Sequence, residues 1–553
     1  MRISGLLAAF ALLLTPAALA ADAPSNLAVG AICSAESNAP PTGGTRQLVK
    51  LPGVGTGGFA IATRNPEAQV WFDYGMQLAH AFYHADAKAA FQKAQQLDPA
   101  CAMCVWGEAW AAGPTINYDI EAADQKAVAV LAAKAAGLGG GESAKNKALI
   151  AALKLRYASH DLAADLAFTR AMDALSRRYS DDDEIAILTS DAWLIPAANH
   201  QDDQGVARAV AVLEPVLKRH PDNTGAIHFY IHATEWNGEA AVALPYAERL
   251  GALAPNASHL VHMASHTFFR VGRYEDAAVS NAKAIGVDGA YLRAAHDATP
   301  QGKVPYHAHD LRFGLAGALA SGDAPLALRL ADHTWFAFSG PLKTGEGSQG
   351  VFGSAYAVYG RYAPDRALAL PEPGKAAPLA GALRHYARGE AFAAKGDLGG
   401  IRAEAALINA SDSAFAAMKN DARPVTKAVV QIARLTLEGR AAMLEGHPLA
   451  AVDAYRKAAR IQDDALSGGD YQDPPQWWFS ERRSLAAALL SAGRPEQAAT
   501  EARKALKSWP MEPLTLQVLA QAETAQGKPA AAARDLAAAR EGWRGGPVPL
   551  ARL

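Results

Sequence analysis

Residues 224–257 read TGAIHFYIHATEWNGEAAVALPYAERLGALAPNA, and residues 258–291 read SHLVHMASHTFFRVGRYEDAAVSNAKAIGVDGAY. Laid over one another at a spacing of 34, the two strings place His228 against His262, His232 against His266 and Ala243 against Ala277. Pro221 and Pro255 keep the same interval. A period of this length marks a stacked array of helix hairpins, because one hairpin cannot bury its own apolar face and needs neighbours to cover it. Alanine dominates the apolar residues and β-branched runs are rare, which favours helix throughout.

The period is that of the tetratricopeptide repeat. Its pattern has a large apolar residue at position 4, a small one at 8, Ala at 20, an aromatic or Leu at 24, Ala at 27 and Pro at 32. Residues 68–101 match with Trp71, Gly75, Ala87, Phe91, Ala94 and Pro99, and residues 190–223 with Trp193, Ala209 and Pro221. The pattern resumes at 308–341, 382–415, 432–465, 479–512 and 513–546, carried by residues such as Ala327, Gly389, Gly439, Tyr455, Ala498 and Ala532. Small residues let helices approach closely, and each Pro ends a second helix. The expected fold is all-α, a tetratricopeptide-like solenoid superhelix of about nine or ten helix pairs.

Composition sets the bounds around that array. Arg2, an apolar run over 6–14 and Ala18-Leu19-Ala20 predict a signal peptide over 1–20, cleaved after Ala20, and a periplasmic or secreted chain. That run is too short to span a bilayer, and no later segment reads as transmembrane. The expected parts are an irregular arm at 21–66, tetratricopeptide-like repeats at 67–137 and a histidine-rich central block at 142–341. A linker loop at 342–374 and a C-terminal repeat block at 375–553 follow. Removing Arg2 with the signal leaves 52 Lys and Arg against 55 Asp and Glu, so no basic excess draws in nucleic acid.

Chemistry is concentrated in the histidines. A helix turns about 100° per residue, so positions 4, 8 and 11 share the packing stripe, while 2, 5, 9, 12 and 13 centre on the face that lines the inner groove. His228 and His262 are at position 5, His232 and His266 at 9, His259 and His309 at 2, and His80 at 13. Seven of the sixteen histidines thus share the groove stripe. An i, i+4 pair brings Cβ atoms within about 5–6 Å, close enough for one metal with bonds near ~2.0–2.1 Å. The candidate ligands are His228, His232, His259, His262, His266 and His309, with Glu235, His307, Asp310, Arg270 and Arg312 around them. Convergence of His228, His232, His262 and His266 on one point is expected. Imidazole with a carboxylate suits Zn, Cu or Fe without choosing among them. Two other readings stand beside metal: a groove whose imidazoles hydrogen-bond a peptide or its carboxylate, and histidines that simply pack.

Cys101 and Cys104 open the helix after Pro99 at a spacing close to the Cα separation a disulfide accepts, which favours a structural disulfide over a redox or metal pair. Cys33 is left over as a free or intermolecular thiol. A phosphate loop, a G-x-S-x-G elbow and an H-E-x-x-H motif are all missing from the sequence.

Several strings together resemble a widespread group of exported bacterial tetratricopeptide proteins with a histidine-rich central block. They are Ala81-Phe82-Tyr83-His84, Asp98-Pro99-Ala100-Cys101-Ala102-Met103-Cys104 with Trp106-Gly107, and Gly113-Pro114. His228 to Glu235, His259-Leu260-Val261-His262-Met263, Ser265-His266, Arg270 and Gly272-Arg273-Tyr274 continue the likeness. Tyr306 to Asp310 and Pro474-Pro475-x-Trp477-Trp478 complete it. The resemblance implies the fold. It also implies that relatives often carry a further His where this chain has Arg312. The histidine-lined groove itself supports two functions. One is a periplasmic scaffold whose His-lined concave groove binds a transition metal, a peptide or a protein partner. The other is a metal-dependent enzyme, an oxidoreductase or hydrolase, that uses the same histidines as ligands.

Overall fold

Phe91 shows how the array is built. A Cβ added to Gly75 would lie 2.7 Å from its ring and one added to Gly107 2.5 Å, so the aromatic at position 24 is wedged between its own hairpin and the next. Gly439 meets Tyr455 in the same way, at 2.5 Å. In the computed structural model, which describes residues 47–338, 346–373, 377–408, 415, 422–466, 473 and 475–553, such hairpins succeed one another from Pro66–His80 to Pro529–Gly542. Regular structure among the described residues is helical, with no β-strand, giving an all-α, tetratricopeptide-like superhelix. Hairpins also form where the 34-residue signature is weak: Ala102–Ala111 with Ala122–Leu138, and Ala144–Arg156 with Leu162–Arg178. They bring the pairs above the nine or ten expected, since packing can complete a hairpin whose sequence has lost the signature residues. The expected signal peptide at 1–20 and Cys33 lie outside the described residues, as do parts of the arm and of the 342–374 linker. Among the described residues, no helix is long and apolar enough to cross a membrane.

An open solenoid makes contacts only between neighbouring repeats. This one closes on itself. Tyr274 donates its hydroxyl to the Pro510 carbonyl at 2.8 Å, across 236 residues, and Phe269 packs on Trp509 at 5.3 Å between ring centroids. Arg544 reaches Glu275, and its backbone N–H donates to the Ser321 carbonyl at 2.8 Å. The end of the arm closes another side. Thr56 exchanges hydrogen bonds with Thr224, Asn256 donates to the Pro52 carbonyl, and Gly58 donates to Glu184. The face expected to line the inner groove is therefore buried.

Candidate metal centre

Three helices supply the histidines: Thr224–Trp236, Ser258–Arg270 and His307–Ser321. The first is capped by Asn223, whose side chain accepts from the Ala226 N–H. The second has no side-chain cap of its own; the Tyr83 hydroxyl, from the first hairpin, accepts from the Ser258 N–H at 3.0 Å. The first hairpin thus anchors the start of the second histidine helix.

His228, His232, His259, His262 and His266 are each no more than 3 % exposed, and the His309 side chain is 11 % exposed. These side chains were expected on the inner groove; closure of the superhelix buries that face. Their ligand atoms fall into two triads, linked by a third group of His232, Glu235 and His266. His228, His232 and His259 form one and His262, His266 and His309 the other, each with ligand atoms within 4.8 Å of one another. The four imidazoles of His228, His232, His262 and His266 therefore divide between two neighbouring points, because the 34-residue offset carries each i, i+4 pair onto its own helix.

Hydrogen bonds fix which nitrogens face inward. His228 Nδ1 donates to the His80 carbonyl at 2.6 Å. His262 Nδ1 donates to Asn281 Oδ1 at 2.6 Å, and the Asn281 amide is oriented by donating Nδ2 to the Ala277 carbonyl. His266 Nδ1 donates to Glu235 Oε2 at 2.9 Å, and Glu235 is held through its other oxygen by Arg270 at 2.7 Å. Because each of these partners can only accept, the three Nε2 atoms carry lone pairs in the neutral rings. His262 Nε2 and His266 Nε2 then face each other at 2.9 Å, and His259 Nε2 lies 3.1 Å from His228 Nε2. Neither ring nitrogen of His232 has a hydrogen-bond partner. Such an outer layer of acceptors behind imidazoles is how metal-ligating histidines are oriented.

Burial, and then the neighbouring imidazoles, hold His228, His259, His262 and His309 well below the ordinary histidine range, and His232 falls to about 3. His266 is the exception: burial opposes its charge, but Asp473 and Glu235 outweigh that and raise it. Burial likewise opposes the Glu235 charge, yet Arg270 and His266 bring its carboxyl well below the usual range. Five neutral rings and one that favours a proton are thus packed together. Without a cation, His266 can satisfy the 2.9 Å contact by donating to His262; with one, both Nε2 atoms are ligands.

The remaining predicted residues lie close by with other partners. His307 donates Nδ1 to Asp288 at 2.7 Å and meets His333 at 3.1 Å, turned away from the triads. Asp310 lies 3.2 Å from His262 Nδ1, its carboxyl raised by burial and by Asp288. Arg312 donates to Gln476 at 2.7 Å. Cys101 and Cys104 are disulfide-bonded and buried, away from the histidines.

Sequence reading missed Asp473, whose Oδ1 is 3.4 Å from His266 Nδ1 and 3.7 Å from His309 Nε2. It also missed Asn281, although an amide at position 24, where an aromatic or Leu belongs, was a visible departure from the repeat. Phe82 is a third. It takes φ 59°, in the turn position where later hairpins carry Gly272, Gly396, Gly446 and Gly527, all at positive φ. Its ring packs on His228 at 4.3 Å and stacks on His259 at 4.8 Å.

Two cavities adjoin the cluster. One of about 10 Å³, room for a single water-sized ligand, is lined by His232, His259, His266, His309, Tyr306 and Asp473 among others. The second, about 520 Å³, shares His259 and Tyr306 with the first and runs past Phe82 and Tyr118 to a rim carrying the exposed Lys88 and Asp124.

Neither a family model nor a curated protein matches the chain. Among solved structures it is similar to the Cut9–Hcn1 hetero-tetramer of the APC/C, at 11 % identity over 87 % of this chain and 76 % of that one, with a TM-score of 0.28. It is similar to the human IFIT1 dimer with m7Gppp-AAAA, at 12 % identity over 76 % and 86 %, TM-score 0.32. It is also similar to the P58(IPK) TPR domain, at 13 % identity over 68 % and 92 %, TM-score 0.19.

Proposed function

We propose that this chain is an exported metalloprotein. Its closed solenoid holds a transition metal (Zn, Cu or Fe) on buried imidazoles and presents it to a small molecule admitted through the adjoining chamber. The carrying observation is the 2.9 Å approach of His262 Nε2 to His266 Nε2, with both Nδ1 atoms already committed to acceptors. Three imidazoles per ion leave a coordination position open, the arrangement used by catalytic rather than structural sites. The chamber of about 520 Å³ is in the size range of small-molecule pockets. Burial of the histidines weighs against a peptide lying across them, so a protein partner would dock on the outer surface of the scaffold. Among the two functions read from the sequence, this favours metal-dependent chemistry over a groove that grips a peptide. Elemental analysis of full-length protein purified from the exporting compartment tests the reading: stoichiometric transition metal supports it. Metal-free protein that also takes up none on incubation with Zn²⁺, Cu²⁺ or Fe²⁺ would reject it.

A further inference from the structure

We propose that the cluster is built for two transition-metal ions, one in each imidazole triad, with one oxygen ligand held between them. This rests on the metal reading above and extends it from a site to a dinuclear centre.

A Zn site at bond lengths near ~2.0–2.1 Å is almost always four-coordinate, so six rings are more than one such ion holds. The shortest ring contacts group the six three and three. His228 is 5.0 Å from His232 and 4.9 Å from His259 between ring centroids, and His262 is 4.8 Å from both His266 and His309. No residue is shared between the triads, and they abut: His232 lies 5.4 Å from His266 and His259 5.7 Å from His262, as near as His266 to His309 at 5.7 Å and nearer than His232 to His259 at 6.4 Å.

The small cavity lies at that junction. Two of its walls come from the first triad, His232 and His259, and two from the second, His266 and His309. Its volume of about 10 Å³ admits one water or hydroxide and little else. Two-metal sites hold their ions about 3.5–4 Å apart and bind the reacting oxygen between them, which is the position this cavity supplies. Glu235 reaches His232 and His266 from the side. Its oxygens are taken by Arg270 and His266 Nδ1, so it orients a ligand rather than adding one. The unpartnered nitrogens of His232 are explained if one of them is a ligand.

Six imidazole ligands suit copper or zinc. The test is native mass spectrometry of the full-length chain loaded with Zn²⁺ alone. Two ions are expected in the unmodified protein. The double variants His228→Asn with His259→Asn, and His262→Asn with His309→Asn, should each retain one. A single ion in the unmodified protein, lost in either double variant, would replace the pair by one shared site and leave the metal reading standing. No ion at all would remove the metal reading itself. Because buried double variants can misfold, the unmodified protein is also loaded with Cu²⁺. Two oxygen-bridged Cu²⁺ ions couple, so the integrated electron paramagnetic resonance signal should fall well below the copper measured by elemental analysis. A signal equal to total copper would overturn the bridged pair.

Discussion

Replacing Phe82 by Gly sets two effects of opposite sign against each other. The residue is held at φ 59°, a conformation that costs an L side chain about 1–2 kcal/mol and costs Gly almost nothing. If backbone strain were all that mattered, F82G would stabilise the chain. The ring is 4 % exposed and packs on His228, His259, Phe229 and Tyr306, at centroid distances of 4.3, 4.8, 5.9 and 6.2 Å. Deleting a buried Phe side chain costs about 3–5 kcal/mol. The ring term wins, and F82G should lose about 1–4 kcal/mol. The strain term can be measured by itself at Gly396. There φ is 73° and an added Cβ would meet nothing within 4 Å, so G396A should cost only about 1–2 kcal/mol. Urea unfolding of both full-length variants, followed by helical circular dichroism, gives the two values. An F82G protein as stable as the unmodified chain would refute the idea that the ring is kept at a glycine position for its packing on the imidazoles.

Other consequences can be checked separately. Glu235→Gln keeps the shape but removes the charge that Arg270 and His266 share, and metal affinity should fall by about 10–100-fold with helix content unchanged. Gly107→Ala drives a Cβ to 2.5 Å from the Phe91 ring and should cost about 1–3 kcal/mol in the same unfolding assay. Glu481 is buried and accepts from Thr436 and Trp477, and burial raises its carboxyl to about 7. The folded state therefore binds its proton more tightly than the unfolded state. Its contribution to stability is fully present below about pH 4.5 and is lost as pH rises through about 7, on the order of 3 kcal/mol at about 1.4 kcal/mol per unit. Glu481→Gln should flatten that part of the stability profile; an unchanged slope between pH 5 and 7 would show that Glu481 is not its source.

The hairpins were legible because their determinants are local. Phe91 between Gly75 and Gly107, and Tyr455 against Gly439, are contacts within one or two repeats. The shared face of the histidines was legible for the same reason, since positions 5 and 9 follow from helical geometry alone. Closure was not. The bond from Tyr274 to Pro510 and that from Thr56 to Thr224 depend on small rotations summed over many repeats, which no single window of sequence encodes. That is why the burial of the inner-groove face was not foreseen, and why Asp473 stayed invisible although its chain neighbours Pro474-Pro475 stood out. Asn281 was available to a stricter reading, because an amide in a packing position must have a polar partner; here it is His262.

Anomalous scattering from crystals of the full-length chain grown after copper loading tests the buried metal centre most directly. One peak is expected within bonding distance of Nε2 of His262 and His266 and of a ring nitrogen of His309. A second is expected among His228, His232 and His259. Strong peaks only at surface histidines such as His220 or His447, with the His262–His266 contact still near 2.9 Å, would contradict it.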